Sequence, residues 1–142
     1  MTMSACPVPC HEFLAHTGEL RLLVRAATMR DLFAEAGRAV GLVSLRGAKA
    51  APAGDWRTIT LEAPDRVALL VDWLNELVFL AERDRWVAVE FQVSEAHEQR
   101  LSARARGVTV DEPPTMIKAA TLHGARITPA EGAVEAEVTF DV

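Results

Sequence analysis

The chain has 142 residues, long enough for one domain that buries roughly two-thirds of its unfolded surface. Half of the residues are apolar and a quarter charged, and no apolar run reaches the ~18–20 residues that a membrane span requires, so the composition predicts a compact soluble globule. A formal charge of −5 argues against a protein that grips nucleic acid over its whole surface, because phosphate contacts need a net-positive footprint. Residues 1–10 lack the basic and apolar regions of a secretory signal, which predicts a cytoplasmic protein. Two cysteines, Cys6 and Cys10, are too few for a disulfide framework.

In chain order, the first clear pattern is at residues 19–26, where Leu20, Leu22 and Val24 alternate with Arg21 and Arg25 as in a half-buried strand. Thr28 offers an N-cap with Asp31 three residues on, which predicts a helix to about Ser44. Residues 47–54 read as a small-residue loop and 56–62 as a second strand. Pro64 and Asp65 open a second helix, expected to run to about Glu82. Within it, residues 70–80 (LVDWLNELVFL) are apolar around nearly the whole circumference, with Asp72, Asn75 and Glu76 on one narrow stripe. Such a helix must be buried on most sides, leaving that stripe as its expected contact with solvent.

Residues 86–95 set Val87, Val89, Phe91 and Val93 against Glu90 and Gln92. Residues 99–110 set Leu101, Ala103 and Ala105 against Arg100, Arg104 and Arg106, which predicts an antiparallel pair joined across residues 96–98. Pro113 and Pro114 interrupt the pattern because proline cannot donate to a ladder. Residues 116–127 and 133–142 are the last two predicted strands, joined by a turn at 128–132. The predicted fold is α+β: two helices packed on a mainly antiparallel or mixed sheet in a single domain, preceded by an N-terminal extension at residues 1–10.

Five stretches resemble, in order, the motifs of one known family. They are residues 11–19 (HEFLAHTGE), 32–42 (LFAEAGRAVGL), the core helix 70–80, 117–124 (IKAATLHG) and 137–142 (EVTFDV). The family is that of the archeases, small protein cofactors of RtcB-type RNA-splicing ligases. The resemblance implies an archease-like domain over residues 11–142 and a non-enzymatic role. In that role the protein activates an RtcB-type ligase, promoting its guanylylation and multiple turnover in tRNA splicing or RNA repair. With the charge, it leaves direct stable nucleic-acid binding unexpected, as is any membrane association. The alternative is a metal-free protein-interaction or chaperone-like module on the same fold.

The resemblance also implies a divalent-metal site, with calcium the expected ion, formed by Glu19, Asp141 and Val142, the last through its terminal carboxylate. Hard cations of this kind take several oxygen ligands. The family usually has Asp where this chain has Glu19, and Tyr where it has Leu122. Without the resemblance, Glu19 and Asp141 read as solvated acids at strand ends. Lys118, expected in a strand between Ile117 and Ala119, matches the family lysine needed to stimulate the ligase; by itself it reads as an outward lysine blunting a sheet edge. Arginine outnumbers lysine thirteen to two in this chain, with only Lys49 and Lys118 present.

His16 and His123 lie in matching blocks, either to orient a carboxylate by hydrogen bond or as structural histidines. Cys6, Cys10, His11 and His16 have the donor chemistry of a zinc set. Adjacent ligands at 10 and 11 are sterically awkward, however, and Pro7 and Pro9 stiffen the loop, so two free thiols are the stronger expectation. Asp72 and Glu76, at i, i+4 spacing, are chemically able to do acid–base work. No Gly-rich phosphate loop and no nucleophile–base constellation accompanies them.

Overall fold

The structure is a computed structural model that describes residues 6–142. Seven strands and two helices follow in the order β1 (Cys10–His16), β2 (Glu19–Ala26), α1 (Met29–Ser44), β3 (Ala53–Glu62), α2 (Arg66–Asp84), β4 (Trp86–Ala96), β5 (Arg100–Thr109), β6 (Ala119–Ala130) and β7 (Ala133–Asp141). The strands divide into two antiparallel sheets, one ordered β1-β2-β7-β6 and the other β3-β5-β4. The α+β architecture is thus as the patterning predicts, with the strands shared between two sheets. Among the described residues no helix is long and apolar enough to cross a membrane.

Both helices begin where their caps dictate. Thr28 Oγ1 accepts from the Asp31 amide at 3.1 Å, and Asp65 Oδ1 accepts from the Ala68 amide at 2.8 Å, each satisfying an amide that the first turn leaves without a partner. Helix α2 stops at Arg85, whose left-handed backbone (φ 53°) turns the chain directly into β4. Asp84, beside it, is held by hydrogen bonds from Arg83 and then Arg57, which bring its carboxyl down to about 2.

The core lies where the helices meet the sheets. Leu22, Val24, Val138 and Phe140 from β2 and β7, Phe33 from α1, and Leu70, Trp73 and Leu74 from α2 are fully buried. Trp73 packs edge-on to Phe91, and its indole N–H donates to the Phe33 carbonyl at 2.9 Å, so a large apolar ring enters the core with its one polar atom satisfied. Helix α1 lies chiefly on β4 and β2, and α2 on β6. The approach of α1 to β4 is close because residue 41 is glycine: a Cβ there would stand 2.5 Å from the Ala88 carbonyl oxygen.

The structure departs from the sequence patterning at three places. Residues 10–16 form an edge strand, β1, although no alternation announces it. Its helix-facing side carries His11, Phe13 and Ala15 and its outer side Cys10, Glu12, Leu14 and His16, so both faces mix polar and apolar residues. Residues 116–118 precede β6 rather than belonging to it, which places Lys118 just outside the strand. Cys6 and Cys10 are joined in a disulfide, where free thiols were expected; a separation of four residues and a Cα–Cα distance of 6.3 Å bring the two side chains within bonding reach.

Candidate functional site

Strand register assembles the candidate site. In the four-stranded sheet Leu20, Leu22, Val24, Val138 and Phe140 point to the helices, so the alternate positions face outward. On that outer face His16 of β1 stands opposite Glu19 of β2, Glu19 opposite Asp141 of β7, and Asp141 opposite Ala119 of β6. Lys118 adjoins this row, and its amide donates to the Asp141 carbonyl at 2.8 Å. Asp141 and Lys118 are exposed and Glu19 half-buried. Residues from three separate blocks of the sequence, on four adjacent strands, therefore meet along one end of one sheet.

The chemistry of the row is that of hard oxygen donors beside a primary ammonium. Two carboxylates on directly opposed positions of neighbouring strands have Cβ atoms roughly 4.5–5.5 Å apart, close enough to share a cation and repulsive without one. Among the described residues no group of three or more His, Cys, Asp and Glu is gathered to hold a metal. Glu19 and Asp141 would therefore need further oxygens, from the main chain of Val142 or from water. His16 lies at the end of the row, next to Glu19. His123 does not join it: it lies in the irregular stretch between Thr121 and Arg126 where β6 and β7 lose register, exposed, with its amide donating to Thr121 Oγ1. Leu122, in the position of the family tyrosine, is also exposed there.

The Cys6, Cys10, His11, His16 set does not come together as a metal site, since both sulfurs are consumed in the disulfide and His11 turns to α1. Its Nδ1 lies 2.6 Å from Glu35 Oε2, which places the imidazole proton on Nδ1 because an ionised carboxylate only accepts. Arg38 binds the other carboxylate oxygen through Nε (3.0 Å) and Nη2 (2.9 Å). Burial pushes the Glu35 carboxyl up, and the hydrogen bonds and charges of His11 and Arg38 outweigh it, holding the group below its ordinary value of 4.5. This trio, a buried carboxylate between two half-buried partners, ties β1 to α1. Sequence reasoning passed over it, although Glu35 and Arg38 are the two charged residues within the apolar run 32–43, at i, i+3 spacing.

Asn75 also differs from its expected place on a solvent stripe. Its carboxamide donates to the Ala120 carbonyl (3.0 Å) and accepts from the Ala120 amide (2.7 Å), pairing with the edge of β6 as a further strand would. The contact lies two residues from Lys118 and so fixes the backbone that leads into the row. Asp72 remains exposed and Glu76 half-buried.

Residues 11–142 match the model of the archease protein family (MTH1598/TM1083). The chain belongs to the archease family. Similar relatives are the protein archeases of Methanosarcina barkeri, 33% identical over 93% of this chain and 95% of the relative, and of Methanosarcina mazei, 30% identical over the same shares. Among solved structures, protein 1598 of Methanobacterium thermoautotrophicum superposes with a TM-score of 0.70 at 26% identity, covering 93% of this chain and 98% of that one. An archease of Thermotoga maritima, described as a possible chaperone, shares the fold at 16% identity, with a TM-score of 0.60 over 96% of each chain. This chain shares its fold with both solved structures.

Proposed function

We propose that this archease acts as a protein cofactor that activates an RtcB-type RNA ligase, promoting guanylylation and multiple turnover in tRNA splicing or RNA repair. The observation that carries the reading is the row of His16, Glu19 and Asp141 with Lys118 beside it, in a chain whose family membership spans all of those positions. Glu19, Asp141 and a main-chain oxygen of Val142 hold a divalent ion, with calcium favoured by an all-oxygen donor set. When bound, the ion neutralises the opposed carboxylates and fixes the end of the sheet.

Lys118 presents its ammonium, as a compact charge on an exposed and flexible stem, to a carboxylate or phosphate of the ligase. The chemistry of RNA joining stays in the ligase. The test is a guanylylation and turnover assay with the wild-type, Asp141→Ala and Lys118→Ala proteins. Stimulation by the wild type and its loss in both variants is expected; an inert wild type with a cognate ligase and ample metal sinks the reading.

A second reading, a metal-free interaction or chaperone-like module, draws on two observations: Glu19 stands where the family usually has Asp, and no third side-chain ligand approaches among the described residues. Calorimetry separates the two. Calcium heat that disappears in Asp141→Ala favours the cofactor, and no heat with any divalent ion favours the module.

A further inference from the structure

The C-terminal end of α1 lies apart from that row and is closed by a tight turn. The Gly47 amide donates to the Leu42 carbonyl at 2.8 Å and the Arg46 amide to the Val43 carbonyl at 3.1 Å, with Arg46 in the left-handed region at φ 54°. This is a Schellman motif, in which an apolar side chain at the position of Gly47 commonly packs on the residue at the position of Leu42. Glycine brings no side chain to that contact, and Leu42 stays 42% exposed.

Beyond the turn, the chain forms one wall of a pocket of about 280 Å³, at the small end of ligand sites. Its apolar lining is Leu42, Leu45, Ala48, Ala50 and Val89. Arg38, Leu42 and Leu45 share one face of α1 by their spacing, and Gly41 lies on the same face. That glycine also places the strand side: a Cβ at residue 41 would stand 3.7 Å from Val89 Cγ1, so the Val89 side chain lies against this face. The charged residues at the pocket are Arg38 and Lys49, and none of those lining it is acidic, in a chain of net charge −5. Lys49 is exposed and has no hydrogen-bond or ion-pair partner among the described residues. Arg38 spends Nε and Nη2 on Glu35 and keeps Nη1.

We propose that this pocket binds a small amphiphilic carboxylate, an aliphatic chain ending in one anionic group. The chain packs on Leu42, Leu45 and Val89, and the carboxylate pairs with the Lys49 ammonium. Arg38 adds a second positive charge, part of which Glu35 answers. A helix C-terminus by itself repels an anion. Here the carbonyls of Gly41, Leu42, Val43 and Leu45 are taken up by amides of the turn, so the two cations decide the sign. A neutral apolar ligand would leave those cations unanswered, and a bare anion would leave Leu42 in water. The site is independent of the ligase reading, because none of its residues belongs to the Glu19–Asp141 row.

The test is a titration of the full chain with octanoate, octanol and acetate, followed by backbone amide shifts. Octanoate is expected to bind and to shift the amides of Leu42, Leu45, Ala48 and Val89, octanol to bind more weakly, and acetate not to bind. Lys49→Gln should weaken octanoate by about fivefold, the loss expected for one exposed ion pair, and leave octanol unchanged. Leu42→Asn should weaken both, Arg126→Gln neither, and added salt octanoate alone. Leu42 and Lys49 are exposed, so their variants report on binding with the core intact. Absence of octanoate binding, equal binding of octanoate and octanol, octanoate affinity unmoved by Lys49→Gln or by Leu42→Asn, or shifts confined to other elements would each overturn the proposal.

Discussion

Glu35 shows what one buried carboxylate does for an edge strand. Its unfolded carboxyl titrates near 4.5 and its folded one lower, so the ionised group contributes stability that is fully present above about pH 4.5. That contribution is lost as pH falls through the depressed folded value. Glu35→Gln keeps the shape but gives up the charge that Arg38 and His11 answer, and should cost about 1–3 kcal/mol at neutral pH. Urea unfolding of both proteins at pH 7 and again below pH 4 checks the sign: the gap between them should narrow in acid. Such a residue is hard to read from a sequence, because a Glu on a helix is far more often solvated. What marks it is its neighbours, since Leu32, Phe33, Ala36, Ala39 and Val40 are all buried around it.

At the scale of elements, two contacts decide how the helices meet the strands. Asn75→Ala strips both partners from the Ala120 backbone and should destabilise by about 1–3 kcal/mol, with faster amide exchange at Ala120 as the local readout. Gly41→Ala improves helix propensity, yet the added methyl meets the Ala88 carbonyl at 2.5 Å. The clash should win, with a loss of about 1–3 kcal/mol in thermal or urea unfolding, because backbone on both sides has little room to yield. The legible elements were those with an uninterrupted period: α1, α2, β2, β4, β5 and β7 lie close to where alternation and capping put them. Strand β1 was illegible because both its faces are mixed. Strand β6 was misplaced by three residues because its irregular stretch, with Gly124 at φ 74°, breaks the period of two.

At the scale of the whole molecule, the sequence carried the fold class and the family, and it carried Glu19, Asp141 and Lys118 as candidates through their motifs. It did not carry their adjacency, which is a property of strand register. Nor did it carry the division into two sheets, since period-two alternation specifies a face and not a neighbour.

The pairing of β2 with β7 bears on the order in which the molecule can be made. These two strands are the middle of their sheet, yet two helices and four other strands lie between them in chain order. Until β7 emerges, β2 has only β1 beside it, and β6 has no strand to pair with at all. Closing so long a loop has an entropic cost that local contacts cannot offset early, so this sheet should consolidate after the helices and the β3-β5-β4 sheet. The row holding Glu19 and Asp141 is therefore a late product of folding, and a nascent chain still missing β7 has no such row.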